Sequence, residues 1–215
     1  MRLRKLKNVE ERLSARSDLV IADAVQYKGK WKSFFNNDNP IYIEIGMGKG
    51  KFIIKHAMTN PEINYIGIER EASVLVKATE KVEEKPSNLI FINFDATDIL
   101  DLFDDGEVDK IFLNFSDPWP KSRHSKRRLT YSSNLINYKR ILKRNHSIEF
   151  KSDNRHLFEF SLRMFIANDF AIENLSLNLH EDYDDVITTE YEDKFIEKNN
   201  IIYYVEVQNG KNETI

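Results

Sequence analysis

The sequence predicts a doubly wound α/β fold, built on a mostly parallel seven-stranded sheet with a terminal antiparallel pair. Short β-branched and aromatic runs alternate with stretches of helical period, the pattern of βαβ units. A glycine-rich turn, EIGMGKG, follows the first of these runs. The length of 215 residues suits one core and one site, so 1–215 reads as a single domain with a basic N-terminal extension at about 1–20.

The strands are expected at 41–45 (IYIEI), 64–68 (NYIGI), 89–94 (LIFINF), 109–115 (DKIFLNF) and 146–151 (HSIEFK). Helices are expected at 51–59, 72–84, 97–103 and 132–144, with 154–168 following the fifth strand. Beyond residue 169 the rhythm changes to two extended segments, 170–179 (FAIENLSLNL) and 201–207 (IIYYVEV). These supply the antiparallel pair at the sheet edge. Residues 180–200, acidic and then carrying TTEYEDKF, read as an insertion over one end of the sheet.

Composition narrows the classes. With 41% hydrophobic and 31% charged residues, the chain has no apolar run near the roughly 18 residues of a membrane span. The segment MRLRKLKNVEERL lacks the uninterrupted apolar core of a secretory signal, and a soluble cytoplasmic protein is expected. The chain has no cysteine, which excludes disulfides, thiolate nucleophiles and thiolate-bound zinc. His124 and His156 have no partners at metal-ligand spacing, so no metal is expected. Net charge is −3, so any case for a nucleic-acid partner rests on distribution. Two stretches are basic: Arg2, Arg4, Lys5, Lys7, Arg12 and Arg16 near the start, and KSRHSKRR at 121–128.

Gly46, Gly48 and Gly50 fall within five residues of a chain that has seven glycines. A strand that enters a helix through such a turn lets a ligand approach the backbone at the carboxyl edge of a sheet. A dinucleotide site asks for GxGxxG, but position 51 is Lys; the GxGxG spacing favours S-adenosylmethionine over a pyrophosphate cofactor. Glu69 closes the second strand, where its carboxylate can accept from both ribose hydroxyls. Asp95 ends the third strand and can accept from an adenine amino group or cap the helix that follows. Glu44 stands inside a strand that should be apolar, which points to a charge facing the cationic end of the cofactor.

The fourth strand runs into SDPWPKSRHSKRRL. Two prolines bracket Trp119 and should hold the loop restrained and extended, with Asp117 at the strand's carboxyl end. Trp119 offers a flat face for a base, and the cations from Lys121 to Arg128 offer phosphate contacts, a combination suited to unpaired RNA.

EIGMGKGKF, GIER, LNFSDPWPKSRHSKRRL, FKSDN and TTEYEDKF, in this order, resemble the bacterial tRNA (guanine-N7)-methyltransferase family over about residues 1–207. The resemblance implies a Rossmann-like methyltransferase fold and methyl transfer from S-adenosylmethionine to N7 of a guanine in the tRNA variable loop. It places Glu44, Glu69, Asp95 and Asp117 around the cofactor and reaction centre. Lys121, Asp153, Thr189, Glu190, Tyr191 and Glu192 match substrate positions, and Arg123, His124, Ser125, Lys126, Arg127 and Arg128 match the RNA-contact segment.

Guanine N7 carries no proton, so the reaction needs positioning rather than a general base. Asp117 can accept from guanine N1–H and the exocyclic amine and stabilise the growing positive charge. Asp153 holds the base or ribose, or caps the helix after it. Three rivals remain: a noncatalytic RNA-binding subunit, a nicotinamide-dependent oxidoreductase and a small-molecule methyltransferase. Glu44, Glu69 and Asp117 weigh against the first, the glycine spacing against the second and the basic loop against the third. Protein partners are not required by this reading, and oligomeric state is left open.

Overall fold

Each apolar run read from the sequence is a strand: β1 (Ile41–Ile45), β2 (Asn64–Glu69), β3 (Leu89–Asn93), β4 (Val108–Asn114), β5 (Leu142–Ser152), β6 (Phe170–Ser176) and β7 (Tyr203–Asn209). The computed structural model describes residues 6–198 and 200–210. Arg2, Arg4 and Lys5 of the basic extension lie outside the described residues. The strand order is β3-β2-β1-β4-β5-β7-β6. β1 to β5 pair in parallel, while β7 runs antiparallel to both β5 and β6.

Period-two alternation gives the sheet two different faces. Ile41, Ile43, Ile45, Ile66, Ile68, Ile90, Ile92, Ile111, Leu113, Ile148, Phe150, Val205 and Val207 fill one core. At about 1.5–3 kcal/mol for each fully buried side chain, this face is the main source of stability. The opposite face mixes Tyr42, Glu44, Tyr65, Phe112, Asn114 and Lys151 with a smaller core around Phe52, Ile53, Leu75 and Phe91.

The helices are α1 (Val9–Ser14), α2 (Trp31–Phe35), α3 (Lys51–Thr59), α4 (Ala72–Thr79), α5 (Ser132–Ile141), α6 (Arg155–Ala167), α7 (Leu179–Asp182) and α8 (Glu190–Ile196). Several differ from the sequence expectation. The helix expected over 72–84 stops at Thr79, and the Arg16 guanidinium satisfies the carbonyls of Thr79 and Val82 there, at 2.6 and 3.0 Å. The one expected over 97–103 is a 3-10 turn, Ala96–Asp101, capped by Asp95. The one expected over 132–144 gives way to strand at Leu142, which pairs with Val108 and is buried. Asn154, rather than Asp153, caps α6: its side chain accepts from the Leu157 N–H at 2.9 Å.

The N-terminal segment is partly built into the fold. Leu19 and Val20 are buried, and the Leu19 carbonyl and Ile21 N–H bond to Phe91, covering the free edge of β3. Arg12 pairs with Glu80. No helix among the described residues is long and apolar enough to cross a membrane.

Candidate active site

The carboxyl ends of β1 to β4 open into a cleft of about 560 Å³. Its walls come from Gly46 after β1, Glu69 at the end of β2, Asp95 after β3, and Phe115, Ser116 and Asp117 after β4. Trp119, Lys126 and Arg127 of the basic loop line the same cleft. This is where a doubly wound sheet places its ligands.

The glycine loop is held by backbone bonds. The N–H groups of Gly46 and Met47 donate to the Ile68 carbonyl at 2.8 and 3.1 Å, and the Gly50 N–H donates to Met47 at 3.0 Å. All three glycines have positive φ, between 58° and 75°. A Cβ on Gly48 would meet nothing within 4 Å and one on Gly46 only Leu129 at 3.9 Å, so these two leave open space. A Cβ on Gly50 would crowd Ile54 and Ala78 at 3.2 and 3.3 Å; its job is helix packing.

Glu69 locks that loop to the next. One carboxylate oxygen accepts from the Gly48 N–H at 3.0 Å, the other from the Glu71 N–H at 2.9 Å. Burial raises its carboxyl above the ordinary range, against the pull of those two donors. Asp95 accepts from the Thr97 N–H and hydroxyl with one oxygen, at 3.0 and 2.9 Å; Arg70 lies 3.8 Å from the other. Glu44 is 1% exposed. Its Oε1 accepts from Asn114 Nδ2 at 2.9 Å, while its Oε2 and the Asn114 side-chain amide oxygen make no hydrogen bond among the described residues; the Ile53 N–H at the start of α3 also draws on the carboxylate. Burial pushes the Glu44 carboxyl up to about 8, against Asn114 and the nearby Lys151 charge.

The loop after β4 turns more sharply than the two prolines alone suggested. Phe115 and Trp119 have φ of 50° and 39°, a left-handed conformation that costs about 1–3 kcal/mol at each non-glycine residue. Arg128 braces it, donating to the carbonyls of Pro118 and Trp119 at 3.0 and 3.1 Å with its guanidinium over the Phe160 ring. Arg127 lies 4.9 Å from the Trp119 ring centre and His124 meets that ring edge-on. Lys121, Arg123 and Lys126 are exposed, and Ser125 is half-buried in the same turn. Asp117 is exposed and makes no hydrogen bond among the described residues.

The TTEYEDKF segment lies outside the cleft lining and reaches it through Phe115, against which Tyr191 packs. Thr189 and Glu192 form a capping box for α8. Glu190 pairs with Lys81. Tyr191 stands between Phe115 and Phe195, at ring distances of 5.2 and 4.5 Å, and its hydroxyl lies 3.5 Å from Asp153. Burial raises the Asp153 carboxyl above its ordinary range, with the Tyr191 bond opposing. Among the described residues, no three His, Asp or Glu side chains are grouped to hold a metal.

The structure thus gathers Gly46, Glu69, Asp95, Asp117, Lys126 and Arg127 around one cleft and places Glu44 in the buried strand behind it. Sequence reasoning missed Asn114, Phe115, Ser116 and Lys151. The rule that singled out Glu44, a polar residue in a buried strand, applies equally to Asn114 in IFLNF and Lys151 in IEFKS.

A doubly wound sheet with an antiparallel seventh strand and a ligand cleft at a GxGxG turn defines this chain as a methyltransferase in class. The family model described as putative methyltransferase matches residues 38–205. A tRNA (guanine-N(7)-)-methyltransferase of Bacillus licheniformis is 48% identical over 97% of this chain and 99% of its own length. One from Streptococcus pneumoniae is 47% identical over 97% and 100%. Among solved structures, the 16S rRNA methyltransferase KamB superposes with a TM-score of 0.63 at 12% identity, covering 84% of this chain and 92% of its own. The chain belongs to the tRNA (guanine-N7)-methyltransferase family.

Proposed function

We propose that this chain, acting as a single domain in the cytoplasm, transfers a methyl group from S-adenosylmethionine to N7 of a guanine in the variable loop of tRNA. The observation that carries this reading is the shared cleft: the glycine turn, Glu69 and Asp95 face the same space as Asp117, Trp119, Lys126 and Arg127. A cofactor site and an RNA-contact loop meet at one carboxyl edge.

The residues present fit the cofactor. Gly46 and Gly48 leave the backbone open. Glu69 keeps lone pairs free for ribose hydroxyls after its two backbone bonds, and Asp95 keeps an oxygen for an adenine amine. The unpartnered Oε2 of Glu44 suits the cationic end of the molecule. S-adenosylmethionine supplies an electrophilic methyl group on its sulfonium.

The protein's own work is alignment. Asp117, free of internal bonds, accepts from the N1–H and exocyclic amine of guanine and excludes adenine, whose N1 carries no proton. As positive charge grows on the purine, the fixed carboxylate stabilises it. Arg123, Lys126 and Arg127, with Lys121, hold phosphates; Arg128 shapes the loop that presents them. Asp153 and Tyr191 border the substrate side of the site, and Thr189 and Glu192 set the helix that carries Tyr191. The decisive experiment mixes the protein with radiolabelled methyl donor and bulk tRNA and maps the labelled nucleoside. Label in 7-methylguanosine supports the reading; tRNA binding without transfer would leave a noncatalytic RNA-binding subunit.

A further inference from the structure

Helix α8 is attached to the molecule largely by charge, its one aromatic contact outside the helix among the described residues being Tyr191 on Phe115. Its only buried residue is Glu192, while Tyr191 and Ile196 are 46% and 37% exposed. Two of its acids pair with lysines at the surface: Asp193 with Lys51 at 2.5 Å and Glu190 with Lys81. Pairs this exposed hold a helix only weakly. The third tie is different. Lys151 and Glu192 are 3% and 0% exposed. The Lys151 ammonium lies 3.4 and 3.5 Å from the two Glu192 oxygens and donates to the Ile187 carbonyl at 3.1 Å. Glu192 also contacts His180 Nε2 at 2.9 Å and accepts from the Thr189 N–H at 3.2 Å.

Lys151 reaches the other side of the site as well. It sits beside Asn114 in the β4–β5 register, and its carbonyl accepts from the Phe115 N–H at 3.0 Å, at the first residue of the strained loop that carries Asp117. One residue therefore joins, through its backbone, the loop that holds Asp117 and, through its side chain, the helix that holds Tyr191. Those two segments meet where Tyr191 packs on Phe115 and touches Asp153.

We propose that Lys151 is a positioning residue: by clamping Glu192 it fixes Tyr191 against Phe115 and Asp153, completing the wall against which the guanine is aligned beside Asp117. This rests on the guanine-N7 reading above. Remote misplacement of about 1 Å can cost about a hundredfold in rate, and phosphate contacts supply most RNA affinity. Lys151→Met should therefore lower kcat about tenfold to a hundredfold, with tRNA KM and S-adenosylmethionine affinity changed less than about twofold.

Two further variants guard against trivial loss of fold. Lys151→Met combined with Glu192→Gln removes both buried charges and should fold, yet remain slow. Tyr191→Ala added to Lys151→Met should cost less than about threefold more, because the ring is already displaced and coupled residues are not additive. A folded, charge-free double variant with wild-type kcat would overturn the proposal, as would fully multiplicative losses for Lys151→Met and Tyr191→Ala.

A readout without substrate separates this inference from the proposed function. In protein labelled with 3-fluorotyrosine, the Tyr191 resonance is assigned by Tyr191→Phe. It should move in Lys151→Met, whereas signals from the buried Tyr65 and Tyr138 stay in place. An unmoved Tyr191 signal sinks the positioning role whatever the activity. Wild-type protein that makes no 7-methylguanosine, together with a moved signal in Lys151→Met, sinks the function and leaves the clamp.

Discussion

The two halves of the cleft are held by different physics. On the β1–β3 side, the glycine turn is fixed by backbone bonds and by the Glu69 carboxylate, with short reach and little side-chain freedom. On the β4–β5 side, long cations do the work: Arg128 braces the strained loop and Lys151 clamps α8. The rigidity of the first half suits the small ligand of fixed shape in the proposed function. On that reading the second admits a large polyanion; its surface pairs, Lys51–Asp193 and Lys81–Glu190, are open to competition from salt and phosphates, while the buried Lys151–Glu192 pair is shielded from it.

The comparison breaks most sharply at Asp117, which belongs to the second half but makes no hydrogen bond or ion pair among the described residues. Asp117→Ala should keep the fold and nearly all tRNA affinity, and lower kcat about 10²–10³-fold, the typical loss for a preorganised electrostatic group. Asp117→Asn should fall between, since its amide oxygen still accepts one bond. A folded Asp117→Ala protein that methylates guanine at a rate within about threefold of wild type would move the search to Asp153.

Next in size is Glu69→Ala, which removes the proposed cofactor contact and unpins the glycine turn together. Calorimetry should show S-adenosylmethionine binding weakened by about 1.5–3 kcal/mol, the scale of charge-assisted hydrogen bonds. Unchanged affinity would remove Glu69 from the site.

Replacing Arg123, Lys126 and Arg127 together should spare cofactor binding, weaken tRNA binding and flatten its salt dependence by about 0.7–0.9 log unit per lost phosphate contact. Arg128 sharpens the contrast. Because it is spent on the carbonyls of Pro118 and Trp119, Arg128→Met should reduce turnover while leaving the salt slope close to that of wild type. A slope reduced as much by Arg128→Met as by one of the other three would make it a phosphate ligand after all.

The same division explains what the sequence made legible. Strands were readable because each is a short apolar run whose two faces are decided locally, as in IYIEI and LIFIN. The glycine turn was readable because three positive-φ residues in five positions admit few other uses. What escaped depends on contacts far along the chain. α4 ends where Arg16, more than sixty positions earlier, takes its last carbonyl, that of Thr79. Arg128 reads as one more cation in KSRHSKRR, and only the fold shows it turned inward. Lys151 looks like a strand-end lysine until Glu192 is brought onto it. The glycine-turn half is written in local patterns, the basic-loop half in long-range pairs.

The smallest expected effect is a proton count, and it tests whether Glu44 faces the cofactor. Its carboxyl is lifted to about 8 by burial, so in the free protein at pH 7 it is mostly protonated. The raised value fixes the sign of the linkage: the stability Glu44 contributes is whole below about 4.5 and is lost as pH rises through about 8. Glu44→Gln, already neutral, should escape that loss and unfold at a temperature less sensitive to pH across the same window. A bound cation beside the unpartnered Oε2 favours the carboxylate and should expel the proton. Calorimetry at pH 7 in buffers of different ionisation enthalpy should then show net proton release on S-adenosylmethionine binding, a release that fades as pH rises above the raised value. Glu44→Gln should release almost none while Glu69→Ala, though weaker in affinity, keeps the release. Binding with no proton release in wild type at pH 7 would leave Glu44 as a buried partner of Asn114 alone, with no part in holding the cofactor's charge.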